Sequence, residues 1–73
     1  MPKLPNVSGS DCRKALIRLG FVDARQKGSH LVMKRGEQGC VVPMHKEIKT
    51  GTLAGVLRQA GVSAEEFILA LEK

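Results

Sequence analysis

Seventy-three residues and 7.9 kDa hold one small domain and leave no room for a second. Hydrophobic residues make up 42% and charged residues 26%, a globular composition rather than a disordered one, and no apolar run reaches the ~20 residues of a membrane span. Twelve Lys+Arg against seven Asp+Glu give +5, which points to nucleic acid, an anionic membrane or an acidic protein as partner, while two Phe with no Tyr or Trp exclude rows of stacked aromatics.

The start, Met1-Pro2-Lys3-Leu4-Pro5, lacks the apolar stretch of a secretory signal, so the expected compartment is the cytoplasm. Pro2 and Pro5 oppose helix, and residues 1–6 read as a loose lead-in to one domain over 1–73. Ser8 is placed to cap a first helix, with Asp11 in the favourable first turn and Val7 and Cys12 as an apolar staple. Ala15, Leu16 and Leu19 form its apolar stripe. Gly20 stops it, and Phe21 falls where the ending wants an apolar contact with Leu16.

The middle of the chain alternates instead. Val22 and Ala24 point one way, Asp23 and Arg25 the other; Leu31 and Met33 alternate with His30, Val32 and Lys34. A third run, Cys40 to Met44, is rich in Val and carries Pro43. Gly28-Ser29 suits a two-residue type II′ hairpin loop, and Gly36-Glu37-Gln38-Gly39 supplies a second turn. Beyond the strands, Leu53, Val56, Leu57 and Ala60 lie at helical spacing, with Thr50 as the expected cap and Gly61-Val62 as the stop. Ser63-Ala64-Glu65-Glu66 is a capping box for a short last helix through Leu71, with Val62 and Phe67 as its staple. The expected fold is α+β, a helix, a three-stranded antiparallel meander, a helix and a short extra helix.

The first hairpin is expected to pair Lys27 with His30, Ala24 with Met33 and Val22 with Arg35. A second loop centred on Glu37 and Gln38 would pair Met33 with Val42, Leu31 with Met44 and His30 with His45. Both registers put Ala24, Leu31, Met33, Val42 and Met44 on one buried face. The other face collects Arg25, Lys27, His30, Lys34 and His45, so that both histidines of the chain stand side by side on an open cationic surface.

An imidazole takes and gives a proton near neutrality, and Lys or Arg beside it can hold a phosphate and stabilise developing charge. RNA cleavage without a cofactor needs no more, because the substrate's own 2′-hydroxyl attacks the phosphorus. DNA lacks that hydroxyl and is inert to this route. From spacing alone, the plainer reading of a histidine beside a Gly-Ser turn is a solvated residue, and a basic face is more often a docking surface than a catalytic one.

The blocks Gly20-Phe21, Gln26-Lys27-Gly28-Ser29-His30, Val42-Pro43-Met44-His45, Lys49-Thr50-Gly51-Thr52-Leu53 and Gln59-Ala60-Gly61-Val62-Ser63 occur in one order. This set resembles the HicA toxin family from about Ser8 to Leu71. The resemblance implies a fold like the double-stranded-RNA-binding domain, an mRNA-cleaving (interferase) activity, and a HicB antitoxin that binds and neutralises the toxin. It also implies that the catalytic histidine is the one in the Gly-Ser-His block, here His30. It establishes no catalytic role for His45.

The leading expectation is therefore a metal-independent endoribonuclease of a toxin–antitoxin pair. His30 acts as general acid or base, Arg25, Lys27 and Lys34 contact phosphate, Ser29 and His45 contribute to RNA binding, and Gly28 holds the turn. The alternative is a small RNA-binding module with no chemistry of its own, since such a fold can bind duplex RNA by shape. A metal site from Cys12, Cys40, His30 and His45 fits badly, because no C-x-x-C or H-x-x-x-H spacing is present. Cys12 and Cys40 read better as buried thiols, and no cofactor or membrane is expected.

Overall fold

The computed structural model describes residues 3–73. Helix α1 (Gly9–Arg18) leads into strands β1 (Val22–Lys27), β2 (His30–Arg35) and β3 (Gln38–Pro43), followed by helices α2 (Thr50–Ala60) and α3 (Ala64–Leu71). The strands form one antiparallel sheet in the order β1-β2-β3, giving the double-stranded-RNA-binding-domain-like layout expected, with its extra C-terminal helix. Of the expected lead-in, Met1 and Pro2 lie outside the described residues. Leu4 packs against the core, and Val7 forms a short antiparallel bridge with Ile48.

Local chemistry sets the helix ends. The Ser8 hydroxyl accepts from the Asp11 N–H at 3.0 Å, and α1 closes with the Phe21 N–H donating to the Leu16 carbonyl at 2.9 Å. The capping box of α3 is complete: Ser63 Oγ accepts from the Glu66 N–H and Glu66 Oε1 accepts from the Ser63 N–H, both at 3.1 Å. At α2 the cap differs from expectation. Lys49 occupies the N-cap with extended backbone and no side-chain cap bond, and Thr50 is already helical.

The inner sheet face carries Leu31, Met33, Cys40 and Val42, all buried together with Cys12, Ala15 and Leu16 of α1, Leu53, Val56, Leu57 and Ala60 of α2, and Phe67 and Ala70 of α3. No polar or charged residue lies among the buried ones described. Helix α2 packs along β3, while α1 packs on α3 and reaches β3. The guanidinium of Arg35 fastens the end of β2 to the end of α1, donating to the Leu19 carbonyl at 2.9 Å and lying over the Phe21 ring.

Two registers depart from expectation. The β2–β3 loop is Gly36-Glu37, not Glu37-Gln38, because Gly36 supplies the positive φ (60°) that the first central position needs, as Gly28 does (59°) in the β1–β2 loop. Leu31 thus faces Val42, Met33 faces Cys40, and His30 faces Pro43 rather than His45. The slip is two residues, so every side chain keeps its face. In β1, Lys27 faces His30 as expected, but a bulge between Asp23 and Arg25 leaves Ala24 as an extra residue; Asp23 faces Met33 and Val22 faces Lys34. Ala24 is exposed, as is all of β1, and the Arg13–Asp23 ion pair at 2.7 Å ties α1 to this strand. Met44 lies past the strand, half-buried against the core.

Candidate nucleic-acid interface

His30 opens β2 immediately after the Gly28-Ser29 turn, so its place is set by that two-residue corner. Lys27 stands across from it on β1 and Pro43 on β3. Arg25, facing Val32, and Lys34, facing Gly39, lie on the same outer side as His30 and Lys27, and all four are exposed. The stem of Lys34 lies over Gly39. Among the described residues the one ion pair joins Arg13 to Asp23, so Arg25, Lys27 and Lys34 are uncommitted. An open sheet face with unpaired cations attracts a phosphate backbone over a distance of about a Debye length, ~8–10 Å at physiological salt.

His45 reaches the same neighbourhood by another route. It follows β3 in the loop that leads to α2, and that loop is pinned. The Met44 N–H donates to the Ser29 carbonyl at 2.6 Å, and the Gly9 N–H donates to the His45 carbonyl at 2.8 Å. Gly9 permits the approach: a Cβ there would sit 2.5 Å from the Pro43 oxygen and 2.6 Å from the Met44 Cα. Helix α1 therefore begins against the backbone of residues 43–45, and its first free N–H finds a partner there.

Between the outer face of β3 and helix α2 runs a groove of about 500 Å³. His30, Val41, Pro43 and His45 line one side; Glu47 and Lys49 line the end; Thr52, Gly55, Val56 and Gln59 line the other. Gln59 also closes the sheet edge, its Oε1 accepting from the Val41 N–H at 3.3 Å. Both histidines thus lie on one groove although they do not face each other in the ladder. Ser29 contributes its carbonyl to the loop and Gly28 its backbone to the turn.

Thr52, Gly55 and Gln59 were not singled out from the sequence. They recur at i, i+3 and i+7, a small and polar stripe beside the apolar stripe of α2, and that spacing was the available signal. Lys46 and Arg58 are exposed and line no part of the groove.

The cysteines lie elsewhere. Cys12 and Cys40 are free thiols buried in the core, while His30 and His45 are exposed on the groove, so these four side chains form no common site. Burial pushes the Cys12 thiol up to about 12, with Cys40 nearby adding to the shift, and burial raises Cys40 as well.

The site is thus an exposed basic sheet face beside a groove that two histidines share, on a small α+β domain. No helix described is long and apolar enough to cross a membrane. The family described as "HicA toxin of bacterial toxin-antitoxin" matches residues 9–62, and the chain belongs to that family. It is a toxin of the toxin–antitoxin type, and membership implies an antitoxin partner. Comparison with curated proteins gives no match.

Proposed function

We propose that this toxin is a metal-independent endoribonuclease that cleaves mRNA in the cytoplasm, with His30 as its general acid or base. The observation that carries the reading is the position of His30, exposed where it lines the groove, with Lys27 across the hairpin and the uncommitted Arg25 and Lys34 on the same face. These cations hold backbone phosphates. The Gly28-Ser29 turn fixes where β2 begins and so where the imidazole stands.

The 2′-hydroxyl of the nucleotide before the scissile phosphate attacks the phosphorus. His30 moves one of the protons, while the cations offset the charge that builds on the phosphoryl oxygens. The chain supplies no nucleophile and needs no cofactor for this route. A HicB-like antitoxin with an acidic surface would neutralise the toxin by covering the same basic face.

The test is digestion of an mRNA by the parent chain and by His30→Ala, with and without a strong chelator, followed by analysis of the product ends. Cleavage that survives chelation, leaves a 2′,3′-cyclic phosphate and disappears in His30→Ala supports the reading. A 5′-phosphate product, or undiminished cleavage by His30→Ala, overturns it. RNA retained but never cut by the parent would instead support the non-catalytic RNA-binding module.

A further inference from the structure

We propose that His45 is the second proton-transfer group of the cleavage centre, acting on the same scissile phosphate as His30; the proposal rests on the nuclease reading above. A histidine in a lysine-rich surface loop ordinarily keeps its freedom and serves solubility. The backbone around His45 has lost that freedom. The residue before it is bonded to the turn that carries His30, its own carbonyl is bonded to the first turn of α1, and Ile48, three residues on, donates to the Val7 carbonyl at 2.7 Å. Ordering a backbone costs about 1–2 kcal/mol per residue, so three long-range ties on so short a loop mark a segment held for its geometry.

The ties bring the loop to the groove between β3 and α2, which both histidines line. Among the described residues neither ring takes part in a side-chain hydrogen bond, those bonds running instead through the arginines, Gln26, Gln59 and the two helix caps. Both are free for substrate. The charged groups around them are Lys27 from β1, Glu47 from the loop and Lys49 from the start of α2.

Cleavage by the neighbouring hydroxyl needs two proton transfers on opposite sides of the phosphorus. One neutral imidazole accepts the 2′-O–H proton as the 2′-oxygen bonds to phosphorus. The other, entering as imidazolium, donates its proton to the 5′-oxygen as the P–O5′ bond breaks. The products are a 2′,3′-cyclic phosphate and a 5′-hydroxyl, and the two rings leave with their protonation states exchanged, to be reset through water. A single histidine would have to do both, or leave one to solvent.

The experiment compares the parent, His30→Ala and His45→Ala on a short RNA that carries the mapped cleavage site. A second RNA has sulfur in place of the bridging 5′-oxygen, a leaving group that needs no proton. On the ordinary RNA, His45→Ala is expected to lower the cleavage rate at saturating enzyme by on the order of 10²-fold or more, with RNA affinity within about threefold of the parent. On the sulfur-bridged RNA one of the two variants, the one that has lost the acid, recovers to near the parent rate, and the other does not.

A rate for His45→Ala within threefold of the parent overturns the proposal and leaves the nuclease reading intact. So does a loss that appears only in affinity, or a sulfur-bridged RNA that restores neither variant. His45→Gln guards against a folding defect, since a merely structural role would be rescued by it and a proton transfer would not. If the parent itself cuts no RNA, the nuclease reading fails and this proposal with it.

Discussion

The guanidinium of Arg35 lies 4.7 Å above the ring of Phe21 and donates to the Leu19 carbonyl at 2.9 Å, joining the last residue of β2 to the end of α1. Nη2 of the same fork donates to Gln38 Oε1 at 3.1 Å across the second hairpin. A lysine would keep the charge but not the planar stack and the divergent donors. Arg35→Ala is expected to cost about 1–3 kcal/mol, and Arg35→Lys to recover less than half of it. Urea unfolding of the three proteins reads this directly, and equal midpoints for Lys and Arg would count against it.

Gly9→Ala pits two effects against each other. Propensity favours Ala over Gly inside a helix by up to ~1 kcal/mol. The added Cβ, however, meets backbone of residues 43 and 44 that cannot swing aside like a side chain. Overpacking of this kind costs ~1–3 kcal/mol. The expected net result is a lower melting temperature, together with slower RNA cleavage because the His45 loop must move. A more stable Gly9→Ala would show that the contact is soft.

The thiols report on the integrity of the core. Burial holds Cys12 far above its ordinary 9.0, at about 12, so the thiolate is scarce at pH 8 in the folded chain. Labelling with a disulfide reagent at pH 8 is expected to be slow in buffer and fast in denaturant. The raised value also sets a sign: the folded state holds the thiol proton more tightly. The stability linked to it is full below the ordinary thiol range and drains away as pH rises from about 9 toward 12.

The sheet-face cations are predicted to act on RNA affinity and hardly at all on folding. Arg25, Lys27 and Lys34 are exposed, so Ala at any of them should leave stability within about 0.5 kcal/mol. Each that contacts a phosphate of single-stranded RNA should lower the slope of log affinity against log salt by about 0.7. Filter binding across a salt series separates this from base recognition, which would leave the slope unchanged.

How far the sequence could be read depended on the range of the interaction. Ser8 with Asp11 and Ser63 with Glu66 act over three residues, and both caps were legible because nothing distant can override them. Sidedness of β2 and β3 was legible for a related reason: a two-residue slip, from a loop at Glu37-Gln38 to one at Gly36-Glu37, returns each side chain to its own face. The same parity hid the slip, and with it the true partner of His30. Gly36 carries the same signal as Gly28, a glycine free to take positive φ at the first central position of a two-residue loop. The bulge at Ala24 was beyond reach, because whether β1 is covered depends on where three helices come to rest. Thr52, Gly55 and Gln59 gain their place only when β3 is laid beside α2, because the groove they line is made by both elements. The tie from Gly9 to His45 spans 36 residues (45 − 9) and left no local trace.

The capping box gives an acid-side prediction. The Ser63 N–H, donating to the Glu66 carboxyl, and then the Ser63 hydroxyl hold that carboxyl below its ordinary value, with Arg35 adding to the effect. A lowered folded value means that its contribution is present at neutral pH and is lost as pH falls through the depressed value. Ser63→Ala should cost about 0.5–2 kcal/mol at pH 7, and the gap between the two proteins should narrow on acidification. A gap that stays constant down to pH 2 would assign the whole loss to the bond between Ser63 Oγ and the Glu66 N–H, which does not titrate.

Among the described residues, strand β1 pairs with β2 on one side and with no strand on the other. Bare strand edges invite a second copy to zip alongside, and a basic protein expressed without its neutralising partner would be exposed to that hazard. Here the bulge at Ala24 breaks the straight row of donors and acceptors, and Arg25 and Lys27 would meet like charges on an incoming copy. The irregularity that breaks the alternating pattern of β1 thus works against edge-to-edge pairing of two toxin chains, while the cationic sheet face stays exposed.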